Sequence, residues 1–273
     1  MSETAWELTT HLLGRRDEYE AATQHPFLLA AAQGRLPKEA LGRWLSNDRL
    51  YIHSYIRAAA KLLGSIDLPQ SVSDHETHET QLVDWLIEAL AAVRKEERLF
   101  IDVADRYGLS IELGPSISSN AASTQSLKLP GLVMIEDIFS SVGRPQVSKG
   151  WFSTKELPPS SPIPWLEGAV TFWGTEKCYL DAWTWAKNKQ PHGSTARDDA
   201  DGGALRQEFI PNWSSPQFRE FVDRLGRLID SAVADFVERS EDKDAAFKAI
   251  VDRVEAKWLS LLAAEKAFWP DIE

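Results

Sequence analysis

Three acidic residues far apart in the chain sit where an acid is out of place. Asp48 is flanked at helical spacing by Trp44, Leu45, Tyr51 and Ile52. Glu176 is flanked by Phe172, Trp173, Tyr179 and Leu180, and Glu265 by Leu261, Leu262, Phe268 and Trp269. In a helix, positions three and four away share a residue's own face, so each acid interrupts an apolar stripe. An ionised carboxylate buried without a partner is costly, so such a group must be paired, protonated or turned toward a polar ligand. At the edge of its stripe, each acid could instead reach water. Three separate long helices carrying the same feature favour a shared pocket. Carboxyl groups that hold protons near neutrality can act as general acids and bases.

A fourth acid, Glu96, has Ala92, Val93, Leu99 and Phe100 on its face, but Arg94, Lys95 and Arg98 lie close in sequence. A structural ion pair is the expected role for it. Around the other three, Trp44, Tyr51, Tyr55, Trp173 and Tyr179 are candidates for flat walls and phenol hydrogen bonds. Core packing is the plain alternative for each. An acid-lined, aromatic-walled cavity suits a flat heterocycle bearing amino groups and ring nitrogens, and suits an anion poorly. The single cysteine, Cys178, lies about 200° around the helix from Glu176. Its own face holds Gly174, Thr175, Asp181 and Ala182, a small-residue packing face, so the thiol reads as structural.

The elements that would position these residues are helical throughout. Apolar periodicity predicts helices over about 4–22, a short segment after His25-Pro26 ended by Gly34, and a long run from Pro37 to Gly64. Others are expected over about 77–107, 132–142, 165–189, 215–239 and 242–268. No alternating strand pattern stands out. Ser/Pro/Gly-rich stretches near 109–130, 143–164 and 189–204 read as long loops, the last as the most flexible. The expected architecture is an all-α, multi-helical bundle formed by residues 1–273 as one domain.

Composition bounds the function. Of 273 residues, 43% are hydrophobic and 26% charged, an ordinary globular balance, and the formal net charge is −11. That charge argues against a nucleic-acid partner, since phosphate binding needs a basic patch. One cysteine forms no internal disulfide, no secretory signal is visible, and no apolar stretch is long enough for a membrane span. A cytoplasmic location follows as the expectation. His75 and His78, in DHETHET, share a helix face, but their polar surroundings read as a solvated acidic run, so no metal is expected. His53 reads as a packed or capping residue, and no motif supports a haem-bearing histidine.

The N-terminal third, in HPFLLAAAQGRLPKEALGRWLSNDRLYIHSY, resembles the TenA (thiaminase II) family. VTFWGTEKCYLDAWTWA is similar to that family's central helix, LSLLAAEKAFWPDI to its last, and FIPNWSSPQF to the segment before the penultimate helix. Between about 108 and 164 the chain diverges. The resemblance implies a haem-oxygenase-like all-α fold, a homo-oligomer, no cofactor, and hydrolysis of aminopyrimidines in thiamin salvage. It also implies that Asp48 binds the ring's amino group and nitrogen, while Glu265 holds another ring nitrogen and shuttles protons. The commoner branch carries a nucleophilic cysteine in a Pro-Cys-aromatic-Trp pattern that is absent here. Trp173, Glu176 and Tyr179 in WGTEKCY look like a second branch, in which a glutamate takes that place. Thiol attack on thiamin is then disfavoured, and Glu176 becomes the base for water on an aminomethyl- or formylaminomethyl-pyrimidine. LVMIEDIFSS lacks a tyrosine that the family pattern leads one to expect. A non-catalytic small-heterocycle binder, or a helical interaction protein on the same fold, are the competing readings.

Overall fold

In the computed structural model, residues 6–71, 76–113, 127–143, 163–191, 193 and 195–272 are described. Among them the regular structure is helical, with no strand. The elements are α1 (Leu8–Leu13), α2 (Arg16–Thr23), α3 (Pro26–Ala32), α4 (Lys38–Leu63), α5 (His78–Tyr107) and α6 (Pro130–Ser141). They continue with α7 (Leu166–Asn188), α8 (Ile210–Trp213), α9 (Pro216–Glu238) and α10 (Lys243–Phe268). The all-α expectation stands, and the long helices fall within a few residues of their expected limits.

Local chemistry explains those limits. The Thr77 side chain accepts from Thr80 N while Thr80 Oγ1 accepts from Thr77 N, a reciprocal cap that starts α5, and Gly108 ends it at φ 65°. Ser215 accepts from Phe218 N ahead of Pro216, and Asp242 accepts from Ala245 N, which starts α9 and α10. His25 caps α3 through Nδ1, which accepts from Phe27 N at 3.2 Å.

Two expectations are corrected. The helix expected over 4–22 is two helices, broken at Gly14-Arg15, with residues 1–5 outside the described set. The break is stabilised from far away: Trp258 Nε1 donates to the Leu12 carbonyl at 2.9 Å, and Arg15 pairs with Glu255. Local periodicity carries no trace of a partner 246 residues distant. The segment 189–204, expected to be the most flexible, is anchored over its second half. Asp199 forms a buried ion pair with Arg206, and Ala200 N donates to the Gly34 carbonyl at 2.8 Å. Asp201, also buried, accepts from Gly203 N and Leu205 N at 2.8 Å each. A π turn, Leu205–Phe209, follows. Pro211 has no N–H to donate back to Gln207, so the tighter α-helical bond is missing there. Most of the expected loops 109–130 and 143–164 lie outside the described residues.

The core joins α4, α6, α7 and α10. Helix α10 packs on α6, α7 and α2, and α4 packs on α5 and α6. Glycines set two of these approaches. A Cβ at Gly131 would stand 2.2 Å from Phe268 N, so only glycine lets the start of α6 touch the α10 backbone. A Cβ at Gly174 would lie 2.4 Å from a Leu261 methyl, which fixes α7 on α10. Gly174 lies on the same face as buried Cys178, so that face is a packing face, as its small residues suggest.

Candidate active site

Helix α4 places Asp48, Tyr51 and Tyr55 along one stripe, and α7 places Thr175, Glu176 and Tyr179 opposite. With Ile52, Val93 and Glu96 they line a single hollow. It holds about 350 Å³ of empty space counting its mouth, of which about 30 Å³ admits the centre of a water-sized sphere. Among the described residues no lysine, arginine or histidine lines it. Asp48 is buried, and Glu96 and Glu176 are half-buried at the hollow's edge.

Glu265, with no exposed surface, stands behind this wall on α10. The Tyr51 hydroxyl donates to its Oε1 at 3.1 Å, and its Oε2 has no hydrogen-bond partner. The hydroxyls of Tyr55 and Tyr179 are likewise buried and unpaired. They stand close enough to Glu176 and Asp48, respectively, to favour the ionised acids, without meeting hydrogen-bond geometry. Buried polar atoms are normally satisfied, so three unpaired oxygens at one place are a vacancy for polar contacts.

Burial dominates the acids' proton affinities. It raises Glu176 to about 8, aided by the charge of Glu96 and opposed by Tyr55. It raises Glu265 to about 8 despite the Tyr51 hydrogen bond, and Glu96 to about 7 against its bond from Trp213. Asp48 is pushed well above the usual carboxylate range by burial first and the charge of Glu96 second. Burial thus raises the proton affinity of all four acids, three on the lining and Glu265 behind it, a condition suited to proton transfer.

The sequence-derived site residues do not all meet. Asp48, Glu176, Tyr51, Tyr55 and Tyr179 share the hollow, with Glu265 one hydrogen bond behind. Trp44 is not on the lining: its ring stacks behind Tyr179 at 6.4 Å, within a cluster formed with Phe27, Trp183, Trp213 and Trp269. Trp173 faces away, stacked on Trp258 at 5.5 Å. It sits on Glu176's stripe in the helical template, but α7 is buried around nearly its full circumference, so periodicity could not tell its two apolar faces apart.

Glu96 corrects the opposite way. Arg94 pairs with its neighbour Glu97, which also accepts from His53 Nε2 at 2.8 Å. Glu96 itself accepts from Trp213 Nε1 and faces the hollow. The apolar stripe around Glu96 was the correct signal, and the nearby basic residues misled. Where the family pattern leads one to expect a tyrosine, α6 offers Phe139, whose ring lies 5.6 Å from Tyr51 and 5.8 Å from Tyr55. Burial pushes the Cys178 thiol up, away from a reactive thiolate. Among the described residues no three His, Cys, Asp or Glu side chains come close enough together to hold a metal ion, and no helix is long and apolar enough to cross a membrane. His75 lies outside the described residues.

The raised acids make stability depend on pH in an unusual direction. A carboxyl at about 8 when folded and about 4.3 when unfolded binds more protons folded than unfolded between those values. Stability therefore falls as pH rises across that window, by at most about 1.4 kcal/mol per unit for each such group. Glu265→Gln removes its share. Urea midpoints at pH 5 and pH 7 are expected to show the variant gaining about 2–3 kcal/mol on the wild type over that interval. Parallel pH curves for the two proteins would refute the assignment.

Comparison with known proteins bears on the fold and the sequence pattern. Residues 15–124 match the sequence profile of the TENA/THI-4/PQQC family. A protein of Fusarium pseudograminearum described as a probable transcription factor is 27% identical over 244 residues, covering 84% of this chain. This chain spans only 46% of that relative's length. An uncharacterized protein of Schizosaccharomyces pombe is 25% identical over 226 residues, covering 80% of this chain and 83% of its own. Among solved structures, a TenA homologue from Pyrococcus furiosus aligns over 94% of this chain and 98% of its own, with TM-score 0.56 and 19% identity. A TenA family transcription regulator from Silicibacter sp. TM1040 aligns over 98% and 97%, with TM-score 0.61 and 16% identity. Residues 15–124 thus carry the sequence pattern of the TENA/THI-4/PQQC family, and the chain as a whole has the all-α, haem-oxygenase-like TenA fold.

Proposed function

We propose that the protein is a hydrolase of thiamin-related aminopyrimidines, converting an aminomethyl- or formylaminomethyl-pyrimidine to the hydroxymethylpyrimidine. The observation that carries this reading is the hollow itself: three acids and three phenols, with no basic side chain on its wall among the described residues. Such a lining repels anions and favours a flat ring rich in N–H donors and positive charge.

In this reading Asp48 holds the amino edge of the ring by charge-assisted hydrogen bonds. Glu265 polarises a ring nitrogen, its orientation fixed by Tyr51, and so eases loss of the amine from the exocyclic carbon. Glu176 takes a proton from the attacking water. A cationic substrate supplies the positive charge that the acid cluster lacks, which favours the ionised form of Glu176 when ligand is bound. Held in place by the ring clamp, water and substrate react as if within one molecule.

The test is to incubate the purified protein with 4-amino-5-aminomethyl-2-methylpyrimidine and follow ammonia release. Release above the uncatalysed rate is expected. Tight binding without ammonia would instead select a heterocycle-binding protein on the same fold. The words transcription factor and transcription regulator belong to two of the similar proteins. The net charge of −11 speaks against a duplex-binding surface here.

A further inference from the structure

The hollow does not end at its lining. Val93, Glu96, Glu176 and Tyr179 also border a larger outer groove, whose other walls include Trp213, Phe218 and Phe221. The groove offers about 560 Å³ to water-sized spheres, against about 30 Å³ inside. These four residues are therefore a neck, and two of them are acids on facing helices, α5 and α7. Anything that leaves the hollow through the groove passes between Glu96 and Glu176.

Glu96 is held in that position. Trp213 Nε1 donates to it, and Trp213 is itself fixed by stacking on Trp183 at 4.7 Å and Phe209 at 4.9 Å. The exposed arginine two residues before it on α5, Arg94, is engaged by Glu97. At the same neck the Tyr179 hydroxyl, more than nine-tenths buried, has no partner, and Tyr55 just inside has none either. Lys95 also borders the outer groove, but Glu96 forms no ion pair among the described residues. An acid fixed by a rigid donor beside unpaired phenols is arranged to meet a ligand that brings its own hydrogens and charge.

We propose that Glu96 is a specificity-determining residue that selects a positively charged amine on the substrate's exocyclic arm and holds it at the exit of the hollow. The proposal rests on the hydrolase reading for the ring's placement. In the balanced step, the C–N bond breaks with its electron pair going to nitrogen, and the water oxygen bonds to the exocyclic carbon. The water proton goes to Glu176 and then to the departing ammonia, which leaves as ammonium past Glu96. Glu96 neither forms nor breaks a covalent bond.

The test compares two stable ligands by calorimetry. One is the 5-(2-aminoethyl) homologue of the pyrimidine, which keeps the ammonium but has no leaving amine on the ring-activated carbon. The other is its neutral 5-(2-hydroxyethyl) counterpart. Wild-type protein is expected to bind the ammonium ligand at least about 10-fold more tightly, as one charge-assisted contact gives. Glu96→Gln retains an oxygen for the Trp213 hydrogen bond but loses the charge. It is expected to bring the two affinities within about 3-fold by weakening only the ammonium ligand, while Glu96→Asp keeps part of the preference. Equal weakening of both ligands would mark a merely structural role and overturn the proposal. An undiminished preference, or no binding of either ligand by the wild type, would overturn it too. Ammonia release by the wild type, measured separately, decides the hydrolase reading whichever way the affinities fall.

Discussion

Glu176→Gln is expected to lower kcat for ammonia release about 10²–10⁴-fold, the usual contribution of a positioned general base. Glutamine keeps the shape and the hydrogen-bonding reach of the side chain but cannot accept the proton from water. Glu176 is half-buried on the lining of the hollow, and burial has already raised its proton affinity to about 8. The substrate's ring is held by other residues, so KM should change by less than about 3-fold. Removing a carboxyl that resists ionisation also removes a source of strain at neutral pH, so the variant should melt no lower than the wild type. Initial rates across substrate concentrations, alongside a thermal melt, check both statements. A variant with the full rate would remove the base from the mechanism.

The largest effect on stability is expected from Trp44→Ala, a loss of about 3–5 kcal/mol. Trp44 has no exposed surface, and its ring meets Phe27, Trp183, Trp213, Phe268 and Trp269 at centroid distances of 5.5–6.1 Å. These side chains come from α3, α7, α8 and the end of α10, so the cavity left by alanine on α4 could close only by moving helices that also carry the acids. The same ring backs Tyr179, and a residual activity assay at low temperature should show that the folded fraction binds substrate poorly. A urea midpoint showing a cost below about 1 kcal/mol would mean that the site collapses around the gap, against the close packing of the cluster.

How much of this was legible in the sequence depends on where the information lies. The long helices were, because their signals are local. Pro26, Ser215-Pro216 and Gly108 sit at helix ends, and apolar spacing runs between them. Asp48, Glu176 and Glu265 were legible as acids on apolar stripes, since that conflict is written in a window of nine residues. Their meeting was not, because three such windows carry no information on their mutual distance. Trp173 and Glu96 show the limit from two sides. A helix buried all round offers no edge by which to choose its ligand-facing side. A glutamate among basic residues in sequence can form an ion pair with none of them, while its neighbour Glu97 takes the arginine. The anchoring of 195–204 was hidden for a different reason. Asp199, Asp201 and Arg206 look like solvated loop residues until they bury each other.

Trp258 and Trp269 of α10 donate to the carbonyls of Leu12 and Ala22, the latter at 2.7 Å, so the first helices are fastened by the last one. Most contacts of α1 and α2 therefore await a segment made more than 200 residues later. A chain emerging from the ribosome can set Tyr19 against Asp181 of α7 and Thr9 against Asp230 of α9, but these two short helices lack their α10 partners until that helix appears. The carboxyl of Glu265 arrives on that same late helix. Closure of the bundle and entry of its least soluble acid are thus one event, and truncations before residue 258 should leave a protease-sensitive chain rather than a smaller enzyme.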